Sequence, residues 1–145
     1  MSTFEGQRFV VDTNVLVGHL LFPESVPAQA LRLALSLGDI LVSDATLTEL
    51  ATVINQRKID KYITKPARRK FFEVLAPLCI NVEIIQTIQA SRNPKNNKFL
   101  EVAINGSADF ILTGDTDLLE LHPFHEIPIY SPWQFLERSE LSSQI

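Results

Sequence analysis

The sequence predicts an α/β fold, a three-layer α/β/α sandwich around a mostly parallel sheet of about five strands. Three observations predict it. Short apolar runs rich in β-branched and aromatic residues recur along the chain. Two of them, Arg8-Phe9-Val10-Val11 and Phe110-Ile111-Leu112-Thr113, lack polar alternation, as strands covered on both faces do. Segments with helical spacing separate these runs, and strict alternation of strand and helix implies right-handed crossovers and a parallel sheet. Finally, the 145 residues carry no repeat, low-complexity tract or internal linker. They read as one domain, 1–145, with a core over about 8–137, an irregular start and a polar C-terminal tail.

The elements follow in order. The first strand covers 8–12, and Val15 to Leu21 can form a helix on the sheet before Pro23 and Pro27 interrupt it. From Val26 to Leu37, Ala30, Leu31, Ala34 and Leu35 keep helical spacing, and Gly38 suits the left-handed position after a helix. Asp39 to Ser43 is the second strand. Asp44 to about Arg57 is a helix with Leu47, Leu50, Ala51 and Ile54 as its inner stripe. Thr64 caps the next helix, because Pro66 is tolerated only in a first turn; Pro77 ends it. Asn81 to Ile85 alternates and reads as an edge strand. Pro94 opens a helix through Ile104, stopped at Asn105-Gly106. Phe110 to Thr113 is a buried strand, and Asp115 to Leu121 is a turn or two of helix. Ile127 to Tyr130 is a last strand, which Pro128 places at an edge. Ser131-Pro132 starts a closing helix through Leu136, and the residues from Arg138 read as tail.

Composition narrows the class. The chain is 46% hydrophobic with mean hydropathy +0.10, which excludes a disordered chain. No apolar run approaches the roughly 18 residues of a membrane span. The start shows no secretion signal, and a single cysteine, Cys79, excludes an internal disulfide; both point to the cytoplasm. Cys79 reads as a small core residue. Net charge is −4, which does not announce a nucleic-acid binder. Yet Arg57, Lys58, Lys61, Lys65, Arg68, Arg69 and Lys70 concentrate positive charge in one stretch, as a local phosphate-contacting patch or a solvated helical face would.

The acids carry the chemistry. Asp12 ends the first buried strand, and Asp115, then Asp117, follow the Phe110 to Thr113 strand. Ligand sites of open parallel sheets lie outside the carboxyl ends of strands. Glu49, in the helix after the second strand, falls near the same rim. Carboxylates crowded there repel unless a cation is present, and hard divalent ions such as Mg²⁺ or Mn²⁺ suit them. Such ions polarise a phosphodiester and activate water. Structural explanations exist for each acid. Asp12 and Asp115 can cap the helices after them, Asp117 can favour a helix dipole, and Glu49 lies three residues after Thr46, a capping-box spacing. Thr13 and Asn14 can be turn formers, and Thr113 an ordinary strand residue. None of these explains why the acids converge.

The constellation resembles the PIN-domain family of metal-dependent ribonucleases, especially the VapC-like toxins of toxin–antitoxin pairs. The resemblance rests on Val10-Val11-Asp12-Thr13-Asn14-Val15-Leu16, on Ser43 to Glu49, on Pro94 to Glu101, and on Ala108-Asp109-Phe110-Ile111-Leu112-Thr113-Gly114-Asp115-Thr116-Asp117-Leu118-Leu119. It implies single-stranded RNA cleavage by metal-activated water. Asp12, Glu49 and Asp115 become metal ligands, Asp117 an auxiliary acid, and Asn14 and Thr113 polar supports. It further implies an antitoxin partner and a homodimer. The chain departs from the family pattern at Asn93, Asn96 and Asn97, where acids are usual. Asn97 matches the remaining core acid and becomes a neutral fourth ligand; Glu101, one turn later, is a substitute if it faces the rim. RNA as substrate turns the 57–70 basic stretch into a guide for the strand.

Other readings compete. The Asn triplet favours a PIN fold kept for RNA or protein binding after loss of chemistry. An aspartyl phosphatase needs an acid at position 14, which is Asn, and a receiver domain needs an acidic pair before the first strand's end. No phosphate-cradling Gly-rich loop is present. His19, His122 and His125 form no metal-like set, and Trp133 reads as packing for the last helix.

Overall fold

The protein is described by a computed structural model covering residues 6–143, with side chains described through Glu140; most of the irregular start expected from the sequence lies outside these residues. Its strands are β1 (Arg8–Val11), β2 (Asp39–Val42), β3 (Ile80–Asn81), β4 (Phe110–Leu112) and β5 (Ile129–Tyr130). They form one sheet in the order β3-β2-β1-β4-β5, and every pairing is parallel. The two strands expected at edges, β3 and β5, are the edges.

Among the described residues the helices are α1 (Thr13–Leu21), α2 (Val26–Leu37), α3 (Asp44–Ile54), α4 (Lys65–Leu75), α5 (Asn97–Asn105), α6 (Thr116–Leu119) and α7 (Pro132–Ser143). Strand side chains alternate between two cores. Phe9, Val11, Ile40, Val42, Phe110 and Leu112 face one side, under Val15 and Leu16 of α1, Leu31 of α2, Leu50 and Ile54 of α3, Leu75 of α4 and Phe135 of α7. Val10, Leu41, Ile111 and Ile129 face the other, under Phe99, Leu100 and Val102 of α5 and Leu118 of α6. Stacked rings of Phe9, Phe110 and Phe135, with centroids 5.2 Å apart at each step, tie the sheet to α7.

The connections fix where function can sit. From β1 the chain winds through β2 to β3 on one side, then crosses to β4 on the opposite side of β1. The strand order therefore reverses between β1 and β4. That reversal opens a crevice at their carboxyl ends, where Asp12 and Asp115 lie.

Four local readings are corrected. Strand β3 stops at Asn81, because α5 side chains hold the segment that follows: Asn105 Oδ1 accepts from the Ile85 and Gln86 N–H groups at 3.1 and 2.9 Å. Helix α7 does not stop at Leu136 but runs through Arg138 to Ser143, so no tail starts there. Gly38 is not left-handed (φ −157°); it is needed for close approach, since a Cβ there would lie 2.0 Å from the Gln7 carbonyl oxygen. Trp133 is 65% exposed and does not serve as core packing.

Candidate active site

Asp12 is the centre of the crevice. It is 4% exposed, and both its oxygens are engaged. Oδ1 accepts from the Val15 N–H at 3.0 Å, so Asp12 does cap α1. Oδ2 accepts from the Thr113 hydroxyl. Thr113, fully buried at the end of β4, also accepts from the Asp115 N–H at 3.0 Å. One hydroxyl thus links the ends of the two central strands. Asp115 caps α6 through Oδ1, which takes the Asp117 N–H at 2.8 Å. A carboxylate offers about four lone-pair sites, so capping leaves acceptor capacity on each acid.

Glu49 reaches the rim from α3. The capping box there belongs to Ser43 and Thr46, whose side chains and backbones bond reciprocally at 2.9 and 3.2 Å, so Glu49 has no part in it. Instead Glu49 Oε2 accepts from the Thr13 hydroxyl, and Oε1 lies 2.6 Å from Lys98 Nζ. Lys98 and Glu49 are 24% and 23% exposed.

Asp12 feels the charges of both other acids, Asp115 and Glu49. Burial holds the Asp12 carboxyl above its ordinary range. Hydrogen bonds from Thr113 and Val15 pull it back, and the negative fields of Asp115 and Glu49 push it further up. The donor set is hard oxygen under mutual repulsion, and it fits a divalent cation in kind. The fit is incomplete as arranged: among the described residues no three His, Cys, Asp or Glu gather into a ready metal cluster.

Other expected site residues fall elsewhere. Asn97, expected as a ligand, uses Oδ1 to accept from the Ala90 and Ser91 N–H groups at 3.2 and 2.9 Å. Glu101, expected to substitute for it, accepts from the Ile88 N–H at 3.0 Å. With Asn105 they form a ladder at i, i+4 and i+8 that clamps the 85–91 loop to α5. Asn14 is exposed on the first turn of α1, and Thr13 supplies the polar support instead. Asn96 is buried, and its Nδ2 lacks a partner.

The basic stretch divides. Arg57, Lys58, Lys61, Lys65, Arg69 and Lys70 are exposed. Arg68 is not available to RNA: it is 2% exposed, bonded to the Ile63 and Ile54 carbonyls and paired to Asp60 Oδ1 at 2.5 Å. Cys79 packs partly buried beside the core, and burial pushes its thiol up to about 11. Sequence reasoning missed the roles of Thr13 and Lys98. The signal for Lys98 was a lone cation in the first turn of a helix that enters from the acid-bearing rim.

Comparison with known proteins settles the family. The sequence pattern described as the PIN domain matches residues 8–117. This chain belongs to the PIN domain family. It is 25% identical over 143 residues to the uncharacterized protein MJ1680 of Methanocaldococcus jannaschii, covering 92% of each chain. The fold is similar to a chain in the crystal structure of VapBC2 from Rickettsia felis bound to a DNA fragment from their promoter. That match has a TM-score of 0.57 and 12% identity, and covers 86% of this chain and 98% of that one. This likeness speaks to the fold alone; Asp12, Glu49 and Asp115 lie within residues 8–117, which the PIN domain pattern matches.

Proposed function

We propose that this PIN domain protein is a Mg²⁺- or Mn²⁺-dependent endonuclease acting on single-stranded RNA, the toxin of a toxin–antitoxin pair. One observation carries the reading. Asp12 is a carboxylate at the strand-order reversal, raised chiefly by its burial and further by the fields of Asp115 at the end of β4 and Glu49 on α3. A fold pays for such a cluster in stability, and divalent-metal chemistry is what needs it. Asp12, Glu49 and Asp115 are the ligands in this reading, with Asp117 as auxiliary acid. When bound, the ion supplies an activated water and charge to stabilise the leaving oxygen.

The chain's own residues prepare that site. Thr113 aims Asp12 and fixes the backbone before Asp115. Thr13 aims Glu49. The exposed Arg57, Lys58, Lys61, Lys65, Arg69 and Lys70 hold RNA phosphates, and neutralising Arg69 and Lys70 flattens the salt dependence of binding. A homodimer is part of the same reading, and an antitoxin partner belongs to it, supported by the likeness to a chain of VapBC2. So does a cytoplasmic place; no helix of the described residues is long and apolar enough to cross a membrane.

The test is cleavage of an unstructured RNA oligonucleotide with millimolar Mg²⁺ or Mn²⁺. The reading requires cleavage that EDTA stops and Asp12→Asn abolishes. A second reading, a catalytically decayed PIN fold that binds RNA or protein, is favoured by Asn93, Asn96 and Asn97 and by the loop-bound oxygen of Asn97. It requires RNA affinity without cleavage and without response to chelator.

A further inference from the structure

Lys98 is a cation built into the acid rim. It stands in the first turn of α5, a helix packed against β1, β2 and α3, and its ammonium lies 2.6 Å from Glu49 Oε1. Both partners are more than three-quarters buried, so solvent screens the pair less than it would an exposed one. The other Glu49 oxygen is taken by Thr13. Glu49 is therefore held at both oxygens, by a positive charge and by a hydroxyl. Among the described residues, no other Lys, Arg or His pairs with Asp12, Glu49, Asp115 or Asp117.

We propose that Lys98 is a resident counter-ion that competes with the divalent cation for Glu49 and so sets the metal affinity of the site. The inference rests on the nuclease reading and deepens it. Two observations meet here. The loop that precedes Lys98 brings amides at Asn93, Asn96 and Asn97, so it adds no negative charge to attract a cation. The carboxylate that comes from α3 is tied to Lys98, and among the described residues no three acids gather into a ready cluster. Glu49 keeps lone pairs for an ion, but an ion at Oε1 meets the ammonium's positive charge 2.6 Å from that oxygen and competes with it. The freed Lys98 then stands beside the crevice as a donor for a phosphate oxygen of the RNA. Lys98 is a positioning residue in this scheme; it acts on metal binding through Glu49.

The experiment is a Mn²⁺ titration followed by electron paramagnetic resonance, on the full chain after chelator treatment. The wild-type protein is compared with Asp12→Asn, Lys98→Met and Lys98→Arg, and a thermal melt confirms folding of each. Lys98→Gln replaces the Met variant if that does not fold. Wild-type protein should bind Mn²⁺ in a manner lost in Asp12→Asn. Removing the ammonium should tighten binding by about ten- to a hundredfold, the worth of one charge-assisted hydrogen bond. Lys98→Arg should stay within about threefold of wild type, since it keeps the competing charge. Asp12-dependent binding that is unchanged or weaker in Lys98→Met overturns the counter-ion role and leaves the nuclease reading standing. No Asp12-dependent binding in any variant overturns both.

Discussion

Replacing Arg68 by Met separates the structural arginine of the basic stretch from its exposed neighbours. The side chain is 2% exposed, so Met keeps most of its apolar stem in place and removes only the guanidinium. Four contacts go with it: Nε and Nη2 to the Ile63 carbonyl at 3.2 and 2.9 Å, Nη1 to the Ile54 carbonyl at 3.1 Å, and Nη2 to Asp60. Asp60 is half exposed and is rehydrated by water, so its loss costs little. The two carbonyls are left without their donor, at about 1–3 kcal/mol each. The sum, about 2–6 kcal/mol, is a large part of the total stability of a domain this size. It corresponds to a fall in Tm of roughly 6–18 °C. Urea unfolding followed by circular dichroism reads it, with an unchanged slope if the unfolded state is unaffected. Arg69→Ala, on the exposed side of the same helix, should stay within about 0.5 kcal/mol of wild type. A Lys cannot restore the fork, so Arg68→Lys should recover little. A Tm for Arg68→Met within about 2 °C of wild type, or equal losses for Arg68 and Arg69, refutes the assignment.

Two further outcomes follow from the geometry. The folded-state carboxyl of Asp12 is raised above its usual 3.8, so its contribution to stability is full below that value and is lost as pH rises through the folded one. In EDTA, Asp12→Asn should therefore gain in Tm over wild type as pH goes from about 4 to about 8, and a gap that narrows contradicts the buried charge. Gly38→Ala drives a Cβ to 2.0 Å from the Gln7 carbonyl and should cost about 1–3 kcal/mol or more in denaturant unfolding, whereas Gly114→Ala meets nothing within 4 Å and should cost far less.

What could be read in advance depended on how local its cause was. Val10-Val11-Asp12 and Phe110 to Thr113 announce central strands because burial on both faces leaves no polar alternation. Two such runs ending on acids were enough to bring Asp12 and Asp115 to one rim. The short β3 was not legible. Its continuation is held by Asn97, Glu101 and Asn105, which lie well downstream and look in sequence like cap residues and a solvated charge. Arg68 failed for a related reason. A buried guanidinium that satisfies carbonyl groups has the same letter and the same charged neighbours as one facing water. The tail from Arg138 looked polar because a helix with one covered face carries its charges on the other. Lys98 was visible as a charge, but its partner lies 49 positions away, and only the packing of α5 near α3 reveals the pair.

The most direct measurement is anomalous scattering from crystals of the protein soaked in Mn²⁺. The account predicts a peak at the carboxyl ends of β1 and β4, bound by Asp12 and Asp115 with Glu49 turned from Lys98 toward the ion. Density that leaves Asp12 without an ion under saturating Mn²⁺, or places the metal only at other surface acids, would contradict it.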